Sequence, residues 1–311
     1  MEGCIHYRAT TTEGSNLIVP YAQIREEVVN LWRAGGYPPG SSTGWPSIDP
    51  LYTVGLGQWT LITGTPNSGK SEWLDALMVN LARREQWKFL IYSPENWPLA
   101  LHHAKLIEKY IGKPFNPGFN ERVTEAEVSE AEDWMTGKFH FCKPDKPDIC
   151  AILDEAATNV ASLAETWKTG VVIDPWNQLE HFRPTYMNET EYVSQTLSAV
   201  IERVRDYGIH LWLVAHPAKQ TKDRDGKYPV PTPRDASGSA HFWNKADNCL
   251  TIYRDLVEGG QDVEVHVQKV RWKHIGRIGL ATLRYDRVTG RYHEPLPRAV
   301  KDYRKARDGE A

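Results

Sequence analysis

Gly64-Thr65-Pro66-Asn67-Ser68-Gly69-Lys70-Ser71 is the stretch of this 311-residue sequence from which the fold is read. It matches G-x-x-x-x-G-K-[ST] and stands between an apolar run, Trp59 to Thr63, and a helical pattern from Lys70 to about Arg84. That is the strand–loop–helix setting the motif requires. Each residue type has a physical reason. Gly64 and Gly69 let the backbone turn tightly, so that the span Thr65, Pro66, Asn67 and Ser68 wraps an anion with the N–H groups other than that of Pro66, which has none, turned inward. The helix opening at Lys70 adds the positive end of its dipole. Lys70 offers a charge to the β- and γ-phosphates, and Ser71 a hydroxyl to Mg²⁺. The expectation is a phosphate-binding loop for ATP or another nucleoside triphosphate.

Downstream of this loop, apolar strands and helical patterns alternate, which implies a mostly parallel sheet covered by helices. Strands are expected at Phe89 to Ser93, Val171 to Ile173 and Leu211 to Ala215, and helices at Leu101 to Ile111, after the Thr124/Glu127 capping pair, and at Glu191 to Tyr207. Val171-Val172-Ile173-Asp174 delivers a carboxylate to the end of a buried strand, where such sheets bind ligands. Beside the loop, Asp174 is the candidate for the Mg²⁺ shell, although a strand-ending Asp also serves as a plain turn residue. Glu95 follows the strand Phe89 to Ser93 and fits a general base for water; the bland reading is a solvated loop Glu. His216 ends the strand Leu211 to Ala215, where it could sense the γ-phosphate or simply be a satisfied polar residue. The last strands, near Leu250 to Tyr253, Val263 to Val270 and Leu280 to Tyr285, have turns between them and no room for crossover helices. They read as an antiparallel extension of the sheet.

Composition limits the rest. Net charge is −3, hydrophobic residues are 41% and charged residues 25%, ordinary for a globular chain and not that of a wholly basic nucleic-acid binder. No apolar run nears the roughly 20 residues a membrane span needs, so no membrane partner is expected. Met1 to Thr12 has no apolar core of a secretion signal. The four cysteines form no CxxC pair, which argues for a reducing compartment and against structural zinc. Residues 1–17 are expected to be a polar tail and 18–43 a linker helix and hinge, with Ile24, Val28, Leu31 and Trp32 on one helical face. That helix packs on its own domain or, on the sharper reading, on a neighbouring subunit. Residues 44–297 would form the main domain and 298–311 a charged tail.

Several longer stretches carry a resemblance: Ser42-Thr43-Gly44-Trp45-Pro46-Ser47-Ile48-Asp49, Gly64 to Trp73, Val172-Ile173-Asp174-Pro175, Glu189 to Gln195, Val214-Ala215-His216-Pro217, Ser237-Gly238-Ser239-Ala240-His241-Phe242, and Lys269-Val270-Arg271. From about Ile18 to Pro297 the sequence resembles the helicase domain of Twinkle-type replicative DNA helicases and phage primase-helicases, in the DnaB-like superfamily. His rather than Gln at 216 points to the Twinkle and phage branch. The resemblance implies an α/β fold: a RecA-like P-loop core with a mostly parallel sheet, an antiparallel C-terminal extension and an N-terminal linker helix. It also implies a homo-oligomer, usually a ring of six, that encircles single-stranded DNA and completes each ATP site with residues of the next subunit.

Carried over by position, the resemblance gives Lys70, Ser71 and Asp174 to nucleotide and Mg²⁺, Glu95 to water activation and His216 to γ-phosphate sensing. It makes Arg271 an arginine finger acting in trans, with Lys269 beside it. Arg254 and Tyr285 would sandwich the nucleotide base; exposed edge-strand residues are the alternative. Lys219, Lys222, Arg224, Lys227 and Arg234 would line the channel and track DNA phosphates. Asp223, Asp225 and Asp235 dilute that charge, so a plain solvated loop fits too. No primase metal cluster is found, so primase activity is not expected, and the chain reads as a small stand-alone helicase or as one domain of a larger one. The implied setting is a bacterial or phage-infected cytoplasm or an organelle matrix, with possible replisome partners. The reading from another class is a RecA-type DNA-stimulated ATPase, a recombination mediator or clock-type assembly ATPase, that does not unwind.

Overall fold

The computed structural model describes residues 18–163, 166–218, 228–236, 240–255 and 260–295. Nine strands form one sheet: β1 (Gln58–Thr63), β2 (Trp87–Tyr92), β3 (Phe139–Phe141), β4 (Lys168–Ile173), β5 (His210–Val214), β6 (Asn248–Tyr253), β7 (Asp262–Val270), β8 (Gly279–Tyr285) and β9 (Tyr292–His293). Their order across the sheet is β3-β2-β4-β5-β1-β6-β7-β8-β9. The helices are α1 (Tyr21–Arg33), α2 (Lys70–Arg84), α3 (Leu99–Ile111), α4 (Glu125–Met135), α5 (Ile149–Glu155), α6 (Glu189–Asp206) and α7 (His241–Lys245).

The central strands are parallel, and the helices that connect them cover both faces. All six residues of β1, all six of β2 and all five of β5 are buried, which is why they read as unbroken apolar runs. On one face, Ile62, Phe89, Ile91, Val172 and Trp212 pack with Trp73, Leu77 and Leu106 of α2 and α3. On the other, Trp59, Leu61, Val171, Ile173 and Leu211 pack with Ile152 of α5, Leu197 and Val200 of α6 and Phe242 of α7. The helices start where their caps dictate. Thr124 and Glu127 form a reciprocal capping box before α4, as expected, and Asn188 and Glu191 form another that starts α6 earlier than the apolar pattern alone indicates.

One expectation needs correction. The sequence pattern places β6 first in the antiparallel extension, but it runs parallel to β1, with Thr60 to Thr63 facing Asn248 to Thr251. Antiparallel pairing begins only between β6 and β7 and continues through β8 and β9. The chain between β5 and β6 is long enough to cross over β1 and includes α7. In β7 the residues alternate, Val263, Val265 and Val267 inward and Glu264 and His266 more open, the pattern of a strand with one face on the core.

α1 forms at the expected place but buries none of its residues. Ile24, Val28 and Trp32 of the apolar face are exposed, Trp32 by 80%. The tails 1–17 and 298–311 and the segment Ser237-Gly238-Ser239 lie outside the described residues. No helix among the described residues is long and apolar enough to cross a membrane.

Candidate functional site

Four adjacent strands, β2, β4, β5 and β1, end at the same edge of the sheet, and each releases one of the expected residues there: Glu95 after β2, Asp174 after β4, His216 after β5 and the 64–71 loop after β1. Ligands bind at this carboxyl edge in open α/β sheets. Two glycines shape the loop. Gly64 has φ +154, and a Cβ there would lie 2.2 Å from the Ile252 carbonyl; Gly69, at the start of α2, has φ +92. Both positions need a residue without a side chain.

Lys70 is buried, and its Nζ donates to the carbonyls of Gly64 and Thr65, each at 3.0 Å. Burial pulls its pKa down, and the carboxylates of Asp174 and Glu95 pull the other way. Asp174 is buried as well. Burial pushes its carboxyl up to about 6 even though the Ser71 hydroxyl bonds to it; Asp75 and Glu95 add repulsion and Lys70 offsets part of it. Ser68 Oγ is buried with no partner within the protein. A hydroxyl and a carboxylate side by side are the hard oxygen donors Mg²⁺ takes, and an under-neutralised carboxylate gains from a cation, so these residues fit the metal.

Glu95 stands half exposed at the mouth, with one oxygen 3.8 Å from His216 Nε2. Burial and the charge of Lys70 lower the His216 pKa, against the attraction of Glu95. Arg254 and Tyr285 also meet: the guanidinium carbon lies 5.8 Å from the centre of the tyrosine ring. Tyr285 packs at 5.1 Å on Tyr292, whose hydroxyl donates to the Gly69 carbonyl at 3.3 Å. The pair is thereby tied to the phosphate loop.

Arg271 and Lys269 are elsewhere. Arg271 Nε bonds Asp247 at 2.8 Å, and its backbone N–H donates to the Asp247 carbonyl. Asp247 is paired with Trp59 near the start of β1, so the strand separates Arg271 from Gly64 by about 16 Å at 3.3 Å per residue. Lys269 Nζ donates to the Trp243 carbonyl at 2.6 Å. Arg234 lies with its guanidinium carbon 5.2 Å from the Trp243 ring. Lys219, Lys222, Arg224 and Lys227 lie outside the described residues. Next to His216 a cavity of 510 Å³ opens, walled by Trp176, His181, Arg183 and Tyr192.

Sequence reading missed a set of charges between α2 and α3: Glu72 and Asp75 on one helix, His102, Lys105 and Lys109 on the other. The signal was present, because positions three, four and seven apart share a helical face.

No family model matches the chain. It is 42% identical over 272 residues to the chloroplastic/mitochondrial Twinkle homolog protein of Arabidopsis thaliana, a match that covers 84% of this chain and 37% of that protein. The chain thus spans well under half the length of the curated relative it matches. Its fold is similar to the ATPase domain of G40P, with a TM-score of 0.74 at 18% identity over 88% of this chain and 99% of that one. It is also similar to a DnaB-like replicative helicase whose structure was described with its interactions with primase, with a TM-score of 0.69 at 18% identity over 89% of this chain and 68% of that one. The chain has the α/β, RecA-type fold of DnaB-like ATPase domains, and in sequence it resembles the Twinkle-type helicases.

Proposed function

We propose, on the premise of that resemblance, that this chain is the helicase domain of a ring-forming replicative DNA motor. It hydrolyses ATP or another nucleoside triphosphate at subunit interfaces and so drives movement along single-stranded DNA and unwinding of the duplex. The observation that carries this reading is the division of the charged groups between two edges of one sheet. Lys70, Ser71, Asp174, Glu95 and His216 stand together at the carboxyl edge, while Arg271 stands about 16 Å away along β1. A guanidinium so placed serves the phosphate site of an adjacent copy better than its own.

In this scheme the loop 64–71 holds the phosphates, with Lys70 turning from its own carbonyls to the β- and γ-oxygens. Ser71 and Asp174 would hold Mg²⁺, which when bound spreads the charge of the phosphates. Glu95 takes a proton from the attacking water as its oxygen bonds to the γ-phosphorus and the bond to the β-phosphate oxygen breaks. His216, next to Glu95, registers whether the γ-phosphate is present and passes that state to the following loop. Lys219, Lys222, Arg224, Lys227 and Arg234 of that loop follow the DNA backbone by charge. Arg254 and Tyr285 flank the base. Arg271, with Lys269, stabilises the transferred phosphoryl group from the next subunit. α1 within 18–43 links neighbouring subunits of a ring, and 44–297 is the motor. The plastid and mitochondrial name of the Arabidopsis relative supports an organelle matrix as the setting if the source is eukaryotic.

A forked-duplex assay tests the proposal. ATP-dependent strand separation, abolished by Lys70→Ala, is the expected result. DNA-stimulated hydrolysis without strand separation would replace the motor with a RecA-type ATPase of another role.

A further inference from the structure

The charges between α2 and α3 form a joint with a third arm. His102 Nε2 lies 2.9 Å from Asp75, and Lys105 and Lys109 each place Nζ 2.5 Å from one oxygen of Glu72. Lys105 reaches further, donating to Asn96 Oδ1 at 3.1 Å. Asn96 closes a tight turn: its backbone N–H donates to the Ser93 carbonyl at 3.1 Å, and its amide to the Ser93 hydroxyl at 2.8 Å. Glu95 is the third residue of that turn, after Pro94, whose ring fixes φ for the position it occupies.

One ammonium group therefore joins three pieces: α3, the turn that presents Glu95, and Glu72, the residue next to Ser71. Glu95 has little else to hold it, since it is 46% exposed and its contact with His216 is 3.8 Å. Burial would strip charge from Lys105, but Glu72, Asp75 and Asp174 more than compensate and raise its pKa. Lys105 therefore stays cationic throughout the neutral range.

We propose that Lys105 is a positioning residue, which locks the Ser93–Asn96 turn against α2 so that Glu95 stands at a fixed distance from the phosphate cradle. The inference rests on the reading of Glu95 as the base under the function proposed above. A base displaced by about 1 Å loses on the order of a hundredfold in rate. Lys109 and His102 fasten the same helices but have no hold on the turn; a clamp serving helix packing alone would need no bond from Lys105 to Asn96.

The test is a double-mutant cycle in single-turnover hydrolysis, with nucleotide affinity and melting temperature measured on each variant. Lys105→Met should lower turnover about ten- to a hundredfold while nucleotide affinity stays within about twofold, and Lys105→Arg should recover much of the loss. In a Glu95→Gln background, Lys105→Met should add almost nothing, because there is no base left to position. Asn96→Ala leaves the pairs between α2 and α3 in place, removes the third arm together with the amide's bond to the Ser93 hydroxyl, and should reproduce the loss even if Lys105→Met proves too unstable to assay. An equal further loss in the Glu95→Gln background would make Lys105 a general structural residue and overturn the inference, as would unchanged turnover in Lys105→Met or Asn96→Ala. If Glu95→Gln itself leaves turnover intact, the base assignment falls and the role of Lys105 falls with it. A wild-type chain that hydrolyses no nucleotide would instead remove the function proposed above.

Discussion

The two edges of the sheet treat charge in opposite ways. At the carboxyl edge, Lys70, Asp174 and Glu95 crowd together with their charges unsettled: Asp174 is raised to about 6, Lys70 is lowered, and Ser68 Oγ has no partner in the protein. At the far edge, Arg271 is bound at 2.8 Å to Asp247 and keeps a side chain 37% exposed. The first arrangement leaves charge and a hydroxyl that a polyanion and a cation would satisfy; the second is paired within the chain and can face outward. On the function proposed above, a single subunit would hold one unfinished site and one group placed to complete a neighbour's, so that the chemistry would draw on both edges of the sheet but from different copies.

The largest effect comes from removing the centre of the unfinished edge. Lys70→Ala should abolish hydrolysis and weaken triphosphate binding, and a variant turning over at near-normal rate in a malachite-green phosphate assay would break the comparison outright. Next is Arg271→Ala, which should bind nucleotide nearly normally and hydrolyse about a thousandfold or more slowly. Mixing it with Lys70→Ala subunits should restore part of the hydrolysis where an intact site meets an intact Arg271. No recovery after confirmed subunit exchange would count Arg271 as a structural partner of Asp247. Glu95→Gln keeps size and hydrogen bonding but cannot take a proton, so turnover should fall about a hundredfold with binding retained in a fluorescent-nucleotide titration. Lost binding would make Glu95 structural.

The smallest effect sharpens the electrostatics. With a folded-state pKa near 6, Asp174 is increasingly protonated as pH falls through that value, and a protonated carboxyl is a poor Mg²⁺ ligand. Mg²⁺ affinity of the nucleotide complex should therefore drop by up to about tenfold per pH unit below 6, beyond the drop seen for Mg²⁺ and nucleotide in buffer. The same shift has a sign for stability without metal. The group binds its proton more tightly folded than unfolded, so the burial cost appears as pH rises from about 4 through 6 and is absent below that window. A flat Mg²⁺ titration from pH 5 to 7.5 would mean that Asp174 is already neutralised by another group.

The carboxyl edge was legible in sequence because its residues sit at strand ends bounded by motif and by unbroken apolar runs. The strand from Val263 to Val270 was legible too, and its Val263, Val265 and Val267 alternate with more open polar residues. The direction of β6 was not. Asn248 to Tyr253 is a short apolar run that reads the same in either direction, and the helix before it, α7, has five residues, too few to show a period. β3, with three residues at the sheet edge, gave no pattern at all. The joint at Lys105 escaped because it depends on which helix faces which, information carried by tertiary packing rather than by either helix alone. The places of Arg254 and Tyr285 were implied by resemblance only, and the structure puts them 5.8 Å apart.

The position of β1 has a consequence in time. The strand ends at Thr63, yet the neighbours that hold it on either side, β5 and β6, begin at His210 and Asn248. At about 5–20 residues per second, synthesis takes on the order of ten seconds or more to deliver them after the phosphate loop has left the ribosome. During that interval the loop has no sheet beneath it, and Gly64 has no Ile252 carbonyl to close against. A nascent chain released before Asn248 would carry the whole 64–71 motif without β6 to pair with β1 or the Ile252 carbonyl against which Gly64 closes.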